Sequence, residues 1–207
     1  MNNYEYIIAS LPVLSPDWKY PEGEGFDHIL EEIRNQLSAT DASTVDLLLK
    51  GLDPENLNQE FYMTALSHGN RFIREFFRFD LEVRNRKVDF LNRKLGRPEG
   101  TDIITGMDQE GRTLFATGEM EEADRVVEIL HGQDLLSREK ALDGLYNDKV
   151  SQITTFNYFD LDAVLGFITK LRIIHRWLAL DPVTGKEMFS HLLAEVRGTY
   201  NDLEYKQ

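Results

Sequence analysis

The chain contains no cysteine. That excludes disulfides, thiolate catalysis and cysteine-held zinc or iron–sulfur centres, and it suits a reducing compartment. No run of apolar residues approaches the roughly 20 needed to cross a bilayer. A secretory leader is not expected either, because no charged region precedes a long apolar one and "YIIASLPVL" is broken by Pro12. Positive charge is scarce: Lys+Arg 23 against Asp+Glu 36 gives a formal net charge of -13. Binding to DNA or RNA draws its affinity largely from neutralising phosphates, so a dedicated nucleic-acid binder is disfavoured. A globule of this length buries roughly 70% of the surface its unfolded chain exposes and needs no covalent staple. These absences together lead to the expectation of a cytoplasmic, single-domain protein.

What is present is helical pattern. Phe26, Ile29, Leu30, Ile33 and Leu37 recur at three and four residues and predict a short amphipathic helix. "STVDLLLKGLDP" supplies Ser43 as a cap, an apolar stripe through Val45, Leu48, Leu49 and Leu52, and a stop at Pro54. The longest pattern runs from about Asn58 to Leu95, with a kink or break expected at "SHGN", where Gly69 weakens a helix. Gly96 and Pro98 then end it. Residues 99–118 are rich in Gly and Thr and read as a small hairpin or a mobile loop. Helices are expected near Glu119–Leu130, Leu135–Ile153, Asp160–Leu180 and Lys186–Val196, with the opening "NYEYIIASLPVL" either a strand or an apolar strap. The fold class is all-α: one domain of packed helical pairs, with N-terminal helices in 1–98, a loop or insertion at 99–118, and C-terminal helices in 119–207.

Against the acidic background stands a basic island, Arg71 to Arg97, opposed only by Glu75, Asp80, Glu82 and Asp89. On a helical wheel Phe72, Ile73, Phe76, Phe77, Phe79, Val83, Val88, Phe90, Leu91 and Leu95 form a broad apolar sector. Arg74, Arg78, Glu82, Asn85, Arg86, Asp89 and Arg93 occupy or border the opposite face. Asp80, Arg84 and Lys87 break the rule by falling inside the apolar sector. Asp80 and Arg84 are spaced for an ion pair, and the three read as a buried or half-buried charge cluster, with catalytic or partner-binding use as the alternative. Arg172 and Arg176 form a second basic face. Together with Arg74, Arg78, Arg86 and Arg93 they are candidate contacts for an acidic partner.

Chemical motifs are sparse. Glu128 and His131 form a single ExxH, where a di-iron site needs two plus further carboxylates, so no metal site is expected. His131, just before Gly132, reads as a helix end, and His175 as a packed boundary residue. "TGKE" at Thr184–Glu187 lacks the glycine and the Ser/Thr of a phosphate loop. No catalytic residue and no cofactor is expected.

"FFRFDLEV" and "FNYFDLDAV" share F-x-x-F-D-L, a short internal echo. The block "FNYFDLDAVLGFITKLRIIHRWLALDPVTGKEMFSHLLAEV" resembles the last helical repeat of the C-type subunit of archaeal and bacterial A/V-type ATPases, the d-type subunit of eukaryotes. "FDLEVRNRKVDFLNRKLGRP" resembles an earlier repeat, with Asn85 at the place of the helix-interior Asn. "YEYIIASLPVLS" is similar to the start of an uncharacterised bacterial family encoded among V-type ATPase genes. The departures are a shorter chain, two repeats rather than three, and Leu171-Arg172 where the family favours an Asn-Leu-Arg run. The resemblance implies a non-catalytic adaptor between the central-stalk subunits and the membrane proteolipid ring of a proton- or sodium-translocating complex. It would be cytoplasmic, peripheral to the membrane through that complex, and would bind no nucleic acid. The alternative is a small helical enzyme or metal-binding protein using Asp80, Arg84 and Lys87, or Glu128 and His131.

Overall fold

Two asparagines start the two helices into which the longest apolar pattern divides. In a computed structural model, which describes residues 4–14, 19–21, 24–107, 110–115 and 122–179, Asn58 and Asn70 each accept a backbone N–H three residues on, from Phe61 and Ile73, both at 2.9 Å. A side-chain oxygen at this position satisfies one of the orphan N–H groups of a helix start. The described elements are α1 (Glu5–Ser10), α2 (Phe26–Arg34), α3 (Ala39–Gly51), a 3-10 turn (Pro54–Asn56), α4 (Gln59–Leu66), α5 (Arg71–Leu95), α6 (Ala123–Leu130), α7 (Leu135–Thr154) and α8 (Leu161–Ala179). The fold is all-α, and no strand occurs among the described residues. The expected helix at Lys186–Val196 and the "TGKE" turn lie outside them.

α5 organises the rest. Its 25 residues hold neither Gly nor Pro, and Gly96 closes it in the left-handed conformation at φ 63°. A residue with a Cβ adopts that conformation only at a cost. Arg93 and Lys94 in the last turn complement the helix dipole. α3, α4, α6, α7 and α8 all pack against it. Phe72, Phe76 and Phe77 enter the main core with Tyr62, Leu165 and Ile168, while Phe79, Val83 and Phe90 join Val126, Leu130 and Leu142 in a smaller one. Asn70 also donates to Asp162 Oδ1 at 2.6 Å, so one side chain caps α5 and fastens it to the first turn of α8. Asn70→Ala is expected to cost about 1 kcal/mol, the usual size of a lost cap, read as a lowered urea midpoint. An unchanged midpoint would show that water replaces both bonds.

Several expectations are corrected. The N-terminal segment is not a strand. Tyr4 and Ile7 are buried, with Ile8 and Leu11 packed beside them, so a three-and-four spacing wins over alternation and α1 forms a helical strap. Ser38, not Ser43, caps α3, accepting from Asp41 N at 3.2 Å. Ser43 lies one turn inside the helix and donates to Thr40 O. Leu91 and Leu95, placed in the apolar sector of α5, are 51% and 68% exposed: the late turns of that helix bury Phe90 and Asn92 instead, and Leu91 lines a cavity shared with α7 and α8. Asn85 is not on a wet face. Its amide donates to Ile104 O at 2.8 Å and accepts from Ile104 N at 3.1 Å, while Asn92 donates to Thr101 O at 2.7 Å. The loop after α5 is thereby folded back along that helix. Within 99–118 the described residues hold one isolated antiparallel bridge, Met107 to Thr113.

Candidate functional site in a charged cavity

Helical spacing brings three faces to one place. α5 contributes Phe76, Asp80, Arg84 and Lys87; α7 contributes Glu139, Leu142, Asp143 and Tyr146; α8 contributes Thr169, Arg172, Ile173 and Arg176. The α5 set steps by three or four residues, and the α7 and α8 sets each fall at i, i+3, i+4 and i+7, so each shares one side of its helix. They line a cavity of about 740 Å³, to which Gly51, Leu52, Pro54 and Leu57 from the end of α3 and the turn after it also contribute.

Asp80 stands at the wall of this cavity, but it forms no salt bridge with Arg84. Its carboxylate accepts from Tyr62 Oη at 2.6 Å and from Tyr146 Oη at 2.8 Å, so α4, α5 and α7 meet on one side chain. The local spacing that suggested an ion pair is overridden by two hydroxyls from other elements. Burial pushes the Asp80 carboxyl upward, against the two tyrosine hydrogen bonds and the charges of Lys87 and Arg84. Burial, with the Asp80 charge second, likewise pushes both tyrosines well above the ordinary phenol range. All three effects follow from taking a charge out of water.

The cavity cations divide into two kinds. Lys87 faces Glu139 at 3.9 Å, and Arg176 pairs with Asp143, which also accepts from Trp177 Nε1 at 2.6 Å. Arg84 instead donates through Nη1 to Asp102 O at 3.2 Å and Asn85 Oδ1 at 3.5 Å, and Arg172 lies 5.4 Å from the centre of the Phe26 ring. His175 is packed as expected, its ring 5.2 Å from Phe26 and 6.0 Å from Tyr20, with Nδ1 buried and without a hydrogen-bond partner among the described residues.

The other candidates are not gathered here. Arg74 donates to the carbonyls of His68 and Gly69 at 2.6 and 2.7 Å, closing the turn between α4 and α5. Arg93 pairs with Asp89 at 2.7 Å, and Arg78 and Arg86 are exposed. Glu128 is exposed on α6 and His131 at its C-terminal cap, where His131 meets the Phe90 ring edge-on at 5.1 Å. Among the described residues no three His, Asp or Glu side chains converge as a metal site would need. Sequence reasoning missed Tyr62, Tyr146, Glu139, Asp143 and Trp177. A signal existed in "LDGLYND", where Leu142, Asp143 and Tyr146 share one helical face.

Fold and site together define an all-helical protein with a charge-lined cavity of ligand size. The chain belongs to the family described as "Protein of unknown function (DUF2764)", whose model matches residues 54–199. No curated protein and no solved structure matches it.

Proposed function

We propose that this chain is a non-catalytic helical component of a V-type ATPase that couples the central stalk to the membrane proteolipid ring. One arrangement carries the reading. The two segments that resemble repeats of the C-type subunit contain α5 from Phe79 onward and all of α8, and both segments line the same cavity. Repeats that must act as one stiff body need such packing, because torque passes through contacts and not through loops. On this reading the protein works at the cytoplasmic face and is peripheral to the membrane through the complex. Its basic groups, the exposed Arg78 and Arg86 on α5 with the half-exposed Arg172 and the exposed Arg176 at the cavity rim, meet an acidic partner.

Co-purification of tagged protein from detergent-solubilised native membranes tests this. Stalk and proteolipid subunits should be recovered at moderate salt. Arg172→Glu should reduce recovery severalfold, and it is a cleaner probe than Arg176→Glu, which would set a carboxylate against Asp143 and disturb the fold. Normal recovery with Arg172→Glu would leave Arg78 and Arg86 as the face to reverse next. Absence of every ATPase subunit from intact complexes would end the proposal.

A further inference from the structure

We propose that the cavity between α5, α7 and α8 binds a small organic anion, a carboxylate or phosphate group carried on an apolar body. The inference stands independently of the ATPase reading. It rests first on charge. Four cations line the cavity, Arg84, Lys87, Arg172 and Arg176, against three acids, Asp80, Glu139 and Asp143. Two of the cations have their acids already, through Lys87–Glu139 and Arg176–Asp143. Asp80 is engaged by two tyrosine hydroxyls. That leaves Arg84 and Arg172 facing the space with no carboxylate at salt-bridge distance among the described residues.

Their donors are also available. A guanidinium carries five N–H groups in a planar fork suited to carboxylate or phosphate. Among the described residues both hydrogen bonds of Arg84 use Nη1, leaving Nε and Nη2 unengaged, and Arg172 makes a ring contact and no hydrogen bond. Much of the remaining wall is apolar, with Leu52, Leu57, Phe76, Val88, Leu142 and Ile173 along it beside Tyr146, Thr169 and His175. An inorganic ion would leave that surface wet, whereas an anion with a hydrocarbon or aromatic body covers it. A volume of about 740 Å³ suits a small organic molecule. Three long helices hold the walls, so the site is formed before the ligand arrives.

The test is calorimetric titration of the full chain, below micelle-forming concentrations, with decanoate and decyl phosphate. Decanol and inorganic phosphate serve as the apolar-only and charge-only controls. At least one amphiphilic anion should bind with one-to-one stoichiometry and at least about ten-fold more tightly than either control. Which of the two binds better identifies the headgroup. Arg84→Gln and Arg172→Gln should each weaken it by about ten-fold, the loss expected for a charge-assisted hydrogen bond, while Arg78→Gln on the outer face leaves it unchanged. If Arg84→Gln fails to fold, Arg172→Gln at the half-exposed rim carries the comparison. Equal binding of decanol and decanoate, wild-type affinity in the Arg172 variant, or no binding of either anion overturns the proposal.

Discussion

Gly51→Ala is expected to lower the folding stability by about 2 kcal/mol, seen as a fall in urea midpoint at an unchanged slope. The direction is not obvious, because alanine inside a helix is favoured over glycine by up to about 1 kcal/mol. Space decides it. A Cβ at Gly51, the last residue of α3, would stand 2.3 Å from Cζ of both Phe61 and Phe77. Neither ring has room to retreat. Phe77 is fully buried, edge-on to Phe61 at 4.9 Å and to Phe76 at 5.1 Å, and Phe61 is 4% exposed. Forcing a methyl group into such a core costs up to about 3 kcal/mol, which outweighs the propensity gain. The cause can be isolated by coupling. Phe77→Leu alone should destabilise, yet in the Gly51→Ala background it should restore part of the loss, since the shorter side chain relieves one of the two clashes. Two residues in contact are then non-additive by about 1 kcal/mol or more. Strict additivity would mean that the backbone of α3 shifts to make room and that the rings are not the obstacle.

What can be read from the sequence and what cannot follows from the range of the interactions involved. α5 is legible because its determinants are local: phenylalanines at three and four residues, a glycine at the break before it, and Gly96 with Pro98 after it. The start of α3 is easily misplaced by one turn because "SATDAST" offers several capping residues, and the apolar stripe that locates a helix begins only at Val45. The charge cluster shows the sharper limit. Helical spacing correctly puts Asp80, Arg84 and Lys87 on one side of α5, and the cavity gathers all three. It points to Arg84 as the partner of Asp80 because only neighbours along the same helix are visible at that range. The true partners come from α4 and α7, 18 and 66 residues away. Asn85 is misread for the same reason: its amide is satisfied by a loop backbone 19 residues on. The internal echo does not extend to the role of its aspartates. Asp160 caps the first turn of α8, accepting from Ala163 N at 3.1 Å, while the matching Asp80 sits in mid-helix and serves tyrosines.

Asp80→Leu is expected to be the most damaging single charge removal, at about 3 kcal/mol, because it strands two tyrosine hydroxyls, each costing about 1–3 kcal/mol when left unpaired. Tyr62 is fully buried, so water cannot easily replace the carboxylate there. Asp80→Asn should be milder, since its carbonyl still accepts from one hydroxyl and its amide donates to the other. The Asn variant also reports the ionisation. Burial, acting against the tyrosine hydrogen bonds and the nearby Lys87 and Arg84, holds the folded carboxyl above its usual 3.8. The folded state then binds the proton more tightly than the unfolded chain. The contribution of Asp80 is therefore fully present below the unfolded value and is lost as pH rises through the folded one. Asparagine does not titrate. Wild-type stability measured relative to Asp80→Asn should accordingly fall as pH is raised from about 4 toward 8, and level off once the folded carboxyl has ionised. Urea melts of both proteins across that range make the comparison, and taking the difference cancels every other titrating group. A difference that instead grew with pH would mean that the hydroxyls, Lys87 and Arg84 together outweigh burial. The carboxylate would then be held charged at the cavity wall, and an incoming anion would meet repulsion from it.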